Sequence, residues 1–303
     1  MATGDLLVAE WQVELREVLM SAGECDQALV VTEWLDGFGV PDTRNADVNR
    51  AMRHGVYASP QYLGARAMTM AVAARGADYD ELLAAQVDLG TAWGPVDDAD
   101  ADLVVPLAFT LGDASVKYVM YGKPLRAAFG YKTLLRVHPH MAFTEAALCE
   151  FLATDPRIYA LAQLTANLSL GVSSGGHGFP LSFPHGFGTA TSGAADCVNS
   201  GNIDTYPVIT VTAGGSGASA IALENTTTGE SWEIVLTLAA GETLVVDMAE
   251  QTALLNGTAS REPFVVRPPS VWWALQPGSN QVQLVATGAG TTAVVAWHDA
   301  YLI

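Results

Sequence analysis

The chain has 303 residues, half of them hydrophobic and 15% charged, with a net charge of −18. So much apolar material builds a core and excludes disorder. With 14 basic against 32 acidic residues and only three lysines (Lys117, Lys123, Lys132), the chain lacks the cations that phosphate binding needs, which excludes specific nucleic-acid recognition.

The first eleven residues carry Asp5 and Glu10 and no base, so no secretory leader is expected. Residues 6–19 alternate and predict a strand with Trp11, Val13 and Leu15 on one face and Gln12, Glu14 and Arg16 on the other. Further strands are predicted at 28–34, 65–74, 103–111, 115–121, 131–138 and 142–152. Asp36-Gly37, Pro41-Asp42 and Gly122-Lys123-Pro124 punctuate them. The apolar run at 103–111 is broken by Pro106 and is too short to cross a bilayer, so no membrane insertion is expected.

One segment changes period. Asp78-Tyr79-Asp80-Glu81 has the form of a capping box, and Leu82, Leu83, Ala85, Val87 and Leu89 follow at helical spacing. The spacing predicts one helix over 78–89, closed by Gly90. A single helix among strands implies a β-sandwich with a helix packed on it.

Glycine, serine and proline dominate from 171 to 201, which reads as a long loop or an interdomain connector. Cleaner runs follow at 206–212, 219–225, 231–238, 243–247, 271–275, 281–286 and 292–302. Turn signals between them (Thr228-Gly229, Ala240-Gly241, Asn256-Gly257, Pro277-Gly278) predict an antiparallel sandwich. The length fits two domains, at roughly 100–200 residues each.

Candidate chemistry is sparse. Cys25, Cys149 and Cys197 are far apart and odd in number, with no metal-ligand spacing and no expected disulfide. His54, His138, His140, His177, His185 and His298 form no helical pair. Asp98, Asp100 and Asp102 resemble the opening of a calcium loop, but Leu103 stands where its glycine belongs and Phe109 where its glutamate belongs. The run Asp97, Asp98, Asp100, Asp102 is therefore read as an acidic loop. No cofactor, metal or catalytic residue is assigned, and the chain is read as a non-enzyme. Trp272 and Trp273 should point to opposite faces, one into the core.

Several phrases, in a fixed order over 37–303, resemble the siphophage distal tail proteins, including minor tail proteins of actinobacterial phages. They are Asp36-Gly37-Phe38-Gly39-Val40-Pro41-Asp42, Arg53-His54-Gly55-Val56-Tyr57, Tyr62-Leu63-Gly64-Ala65-Arg66 and Asp155-Pro156-Arg157-Ile158-Tyr159 in the first half. Phe179-Pro180, Asn199-Ser200-Gly201-Asn202 and Ser270-Val271-Trp272-Trp273 through Pro277-Gly278-Ser279-Asn280 continue it. The resemblance implies a structural virion protein at the tail tip, assembled in the host cytoplasm. A ring-forming domain (1–158) would form a homohexamer, and a galectin-like sandwich (159–303, including the 171–201 connector) would project outward. The implied partners are tail tube, tape-measure and tail-tip or baseplate hub proteins, with DNA passing unbound. Asp97–Asp102 is a candidate lumenal loop. The alternative readings are a carbohydrate-binding module for surface attachment and a secreted glycosidase.

Overall fold

The computed structural model describes residues 2–22, 28–96, 103–128, 136–138, 141–143, 146–170, 172–174, 189–191 and 193–303, with backbone only at 136–138, 141–143, 172–174 and 189–191. The chain divides into two compact units. One comprises Met1–Ala162 and Tyr301–Ile303, the other Gln163–Ala300.

The first unit opens with a hairpin, β1 (Gln12–Leu15) and β2 (Val18–Ser21), where the alternation at 6–19 predicts one strand. Arg16 and Glu17 turn the chain with φ of 48° and 64°. A type I′ turn needs such positive φ at both corners, and it escapes notice here because neither residue is glycine. Gln12 and Glu14 are buried, against the expected solvent face. Glu14 accepts hydrogen bonds from Gly4 N and Leu6 N, and Gln12 Oε1 accepts from Val8 N and Ala9 N. The polar row faces the chain's own first residues, whose free N–H groups it satisfies.

Strand β3 (Leu29–Asp36) meets β2 in parallel at Val30 and pairs antiparallel with β4 (Arg66–Gly76). Helix α1 (Tyr79–Ala92) starts as the capping box predicts. Asp78 accepts from Glu81 N, and Glu81 accepts from Ala77 N. It runs past Gly90, however, and closes at Trp93, whose N–H reaches Leu89 O. Leu82, Ala85, Leu89 and Ala92 form its buried face.

Strand β5 (Val105–Thr110) pairs with β1 and with β6 (Lys117–Ala128), and β7 (Ala147–Ala153) pairs with both β6 and β4. That double pairing closes the cycle β4–β3–β2–β1–β5–β6–β7 into a barrel, which removes the edges an open sheet would expose. Its interior holds Met68, Met70, Val72, Leu107, Phe109, Cys149 and Phe151. The predicted 142–152 strand is split into Met141–Phe143 and β7, and of predicted 131–138 only Arg136–His138 lies within the described residues.

Between β3 and β4 the chain leaves the barrel as an arm. Thr43–Arg44 pairs with Tyr62–Leu63, and Val48–Asn49 with Val56–Tyr57. The predicted turn-rich segment thus contains a two-ladder hairpin with Met52 near its end. Strand β8 (Ile158–Ala160) then pairs with β6 before the chain enters the second unit.

The two main sheets of the second unit are built from β9 (Leu164–Ser169), β10 (Ala195–Asn199), β11 (Val208–Thr212), β12 (Ala218–Asn225), β13 (Glu230–Leu238), β14 (Thr243–Asp247), β15 (Thr252–Leu255), β16 (Ala259–Ser260), β17 (Gly278–Thr287) and β18 (Thr292–Trp297). They form a six-stranded sheet, β9-β18-β11-β14-β15-β16, and a four-stranded sheet, β10-β17-β12-β13. Leu223, Trp232, Val246, Trp273, Leu284 and Val295 share one core, as the predicted antiparallel sandwich requires.

Two expectations fail locally. Residues 271–275 are no ladder strand: Pro268 and Pro269 before them have no N–H to donate, and only Leu275 forms a bridge, to Thr205. The run 292–302 is broken into β18 and β19 (Ala300–Tyr301). Strand β19 pairs with β8, so the chain returns to the first unit. Within 171–201, Val172–Ser174 pairs antiparallel with Thr189–Thr191 and β10 is an integral strand, not connector; residues 171, 175–188 and 192 lie outside the described set.

Candidate functional site

Arg66 gathers the motif residues of the first unit. It is 2% exposed. Its Nε donates to Pro156 O at 2.8 Å, and its Nη1 donates to Gly37 O at 2.6 Å and to Ile303 O at 3.2 Å. Three stretches far apart in sequence therefore meet on one guanidinium: the base of the arm, the Asp155-Pro156 corner and the returning end. Its Nη2 is buried with no hydrogen-bond partner among the described residues, and burial pulls the group below its ordinary pKa. A cavity of about 130 Å³ adjoins it, lined by Asp36, Gly37, Phe38, Pro41 and Asp42 among others. Gly37 has φ +121°, and a Cβ there would fall 2.8 Å from Met68 Cα. Only glycine lets the arm leave the barrel at that point.

Asp155 organises the corner. It accepts from Arg157 N, pairs with the Arg157 guanidinium at 3.2 Å, and accepts from Tyr159 Oη at 2.6 Å. Burial, then the Asp155 charge, holds the Tyr159 phenol well above its ordinary range. Gly64 N–H donates to Asp42 O at 2.7 Å across the arm's base. Gly55 and Tyr57 sit in its outer part, where the Arg50 guanidinium lies 5.0 Å from the Tyr57 ring centre.

In the second unit Trp273 is 1% exposed and donates from Nε1 to Leu223 O at 3.0 Å. Trp272 is partly buried; its ring packs 5.5 Å from Trp232, with Arg267 on it at 6.0 Å. The pair alternates as expected although its segment is not a ladder strand. Neither ring stands free to stack on a sugar. Beyond Pro277, Gly278 takes φ +98°, the conformation a type II turn asks of glycine. Asn280, fully buried, donates to Gln276 O and Gly278 O and accepts from Gln276 N, which closes the turn.

Of the chemical candidates, Asp97, Asp98, Asp100 and Asp102 lie outside the described residues, as do Cys25, His140, His177 and His185. Cys149 and Cys197 are free and buried, with burial pushing each thiol up to about 12. Among the described residues no group of three or more His, Cys, Asp or Glu side chains could hold a metal, and no described helix is long and apolar enough to cross a membrane.

The unsatisfied surface lies elsewhere in the first unit, on features the sequence reading passed over. The arm is exposed nearly throughout, and it carries Val40, Val48, Met52, Tyr57 and Tyr62 in the open, Met52 wholly so. Helix α1 has a second apolar face: Tyr79 and Val87 are each 59% exposed and Leu83 45%. Spacing of four along a helix puts these three in line, and that spacing was the available signal.

The first unit is a closed barrel bearing one helix and an arm, and the second is an antiparallel sandwich. Residues 200–301 match the family described as "Siphovirus-type tail component, C-terminal domain". Over the whole length, the fold is similar to that of the SPP1 Dit (gp 19.1) protein, described as a paradigm of hub adsorption apparatus in Gram-positive infecting phages. The TM-score is 0.63 at 14% identity, covering 97% of this chain and 100% of that one. Chains of the phage p2 baseplate in its activated conformation with Ca and with Sr match at TM-score 0.48 and 8% identity, over 95% of this chain and 97% of theirs. No curated protein matches. The resemblance to siphophage distal tail proteins holds, in sequence over residues 200–301 and in fold over nearly the whole chain.

Proposed function

We propose that this chain is the distal hub of a siphophage tail, a structural virion component that joins the tail tube to the tail-tip adsorption apparatus. The observation that carries this reading is the match of residues 200–301 to a siphovirus-type tail component, on a chain whose full length adopts the hub fold. The barrel unit is the ring-forming part, in a homohexamer seated under the tube, and the sandwich is a galectin-like platform for baseplate or tip proteins. The exposed apolar arm supports self-assembly, because a monomer gains nothing from Met52, Tyr57 and Tyr62 in water. A closed ring formed by head-to-tail contacts is the symmetry that extends a tube. DNA passes through such a ring without specific binding, and Asp97–Asp102 is the candidate lumenal acid loop, since a lysine or arginine there would hold phosphate.

Negative-stain imaging of the purified full chain tests the ring, with closed six-fold particles expected. A strict monomer at micromolar concentration, together with absence from tails isolated from infected cells, overturns the reading. A ring lined by basic residues with the acidic run on its outer rim would refute the lumenal assignment alone.

A further inference from the structure

We infer that the outward stripe of helix α1 is a docking strip for the arm of a second copy of this chain. This rests on the self-assembly reading above and adds which surface receives which.

The strip is built from the helix's own geometry. At 100° per residue, Leu82, Ala85, Leu89 and Ala92 take the barrel side, and Tyr79, Leu83 and Val87 fall on one outward line. Gly90 lies on that line one turn further, exposed, with no atom of the described residues within 4 Å of the place of a Cβ. The strip thus ends in a notch where a partner side chain can approach the helix backbone. Residues 77–92 contain no lysine or arginine, and exposed Asp80 and Asp88 flank the line.

The arm has the opposite character. Between Val48 and Tyr57 it carries Arg50, Arg53 and His54 and no acid. In a chain with 14 bases against 32 acids, two exposed arginines beside exposed Val48, Met52 and Val56 are a local inversion of sign. Among the described residues the arm's strands pair only with one another, and its outer half has no partner ladder in its own unit. About nine residues of chain separate Thr43 at the base from Met52 near the tip, with strand only at Thr43–Arg44 and Val48–Asn49, so the arm reaches at most roughly 30 Å at ~3.3 Å per residue, which is enough to cross to a neighbour. Apolar groups on both sides supply the buried area, and the arginines against the aspartates set the register and reject wrong pairings.

The test uses the full chain and four variants. Arg50→Glu with Arg53→Glu, and separately Asp80→Lys with Asp88→Lys, should each weaken self-association about tenfold or more in sedimentation velocity, since like charges then face each other. Combining all four reversals should restore association, and Leu83→Ser should weaken it without any charge change. Thermal unfolding checks that each variant stays folded. Reversal variants that associate like wild type, or a fourfold variant that does not recover, overturn the docking and leave the hub reading standing. A wild-type chain that never associates overturns the docking and the ring together, and tail incorporation then still tests the hub.

Discussion

The two units solve the same problem of burying a β-sheet, but they end with different surfaces. In the sandwich, motif residues are consumed internally: Trp273 fills the core, Asn280 closes a turn, and Trp272 is covered by Trp232 and Arg267. In the barrel, closure through β7 satisfies every strand around the cycle, yet the arm and the outer line of α1 stay open. Under the proposed self-assembly, a surface whose backbone is sealed while its apolar side chains stay exposed is where a partner copy would bind. A sheet edge would have offered the same affinity with less discrimination.

Six substitutions break or sharpen that contrast, and all six are read in calorimetric unfolding of the full chain. The largest effect belongs to Trp273→Ala, which should cost about 3–5 kcal/mol in the second unit by leaving a cavity, whereas Trp272→Ala should cost far less. Equal effects would mean that the core does not distinguish them. Arg66→Met should destabilise the first unit by about 2–4 kcal/mol, because three carbonyls lose a charged donor. Arg66→Lys should recover only part, for a compact ammonium cannot span three divergent acceptors. A neutral result would mean that the three stretches are held together without Arg66. Asp78→Ala removes the helix cap and should cost about 1 kcal/mol. Arm substitutions such as Met52→Ser should stay within about 0.5 kcal/mol of wild type. If Met52→Ser destabilised the monomer, the arm would be structural rather than an assembly surface.

A pH series adds an independent reading. Each buried thiol has its pKa raised from an ordinary 9.0 to about 12. Such a group contributes stability that is whole below pH 9 and is lost as pH rises toward 12, because only the unfolded chain can ionise it. Cys149→Ala should flatten the alkaline decline of the first unit and Cys197→Ala that of the second. A decline unchanged by either substitution would place both thiols in contact with solvent.

The alternation that predicts a sandwich at 206–302 was legible because one face of each strand is core and the other water. The helix start was legible from Asp78 and Glu81, whose side chains do locally what their types suggest. Its end was not, because Gly90 meets nothing that would require a break there. The barrel was hidden because closure is a long-range fact: β7 touches both β6 and β4, and no local pattern records a second partner. The buried row Gln12 and Glu14 misled for the same reason, since their partners are N–H groups of 4–9 that no side-chain pattern reveals. Arg66 was singled out by its phrase, but the phrase held no hint that Gly37, Pro156 and Ile303 would converge on it.

The second unit is inserted between β8 and β19, two strands that lie side by side in the first unit's sheet. It is therefore attached at two points, Ala162–Gln163 and Ala300–Tyr301, and a single backbone cleavage between Leu161 and Leu164 cannot set it loose. The nicked molecule would hold together in native conditions and fall into two pieces only on denaturation. For the same reason a cut before residue 160 does not isolate the first unit, since it removes Tyr301, which packs edge-on against Tyr118, and the Ile303 carbonyl that Arg66 holds. The separable pieces are the chain with residues 163–300 excised and a short loop in their place, and the excised insert by itself.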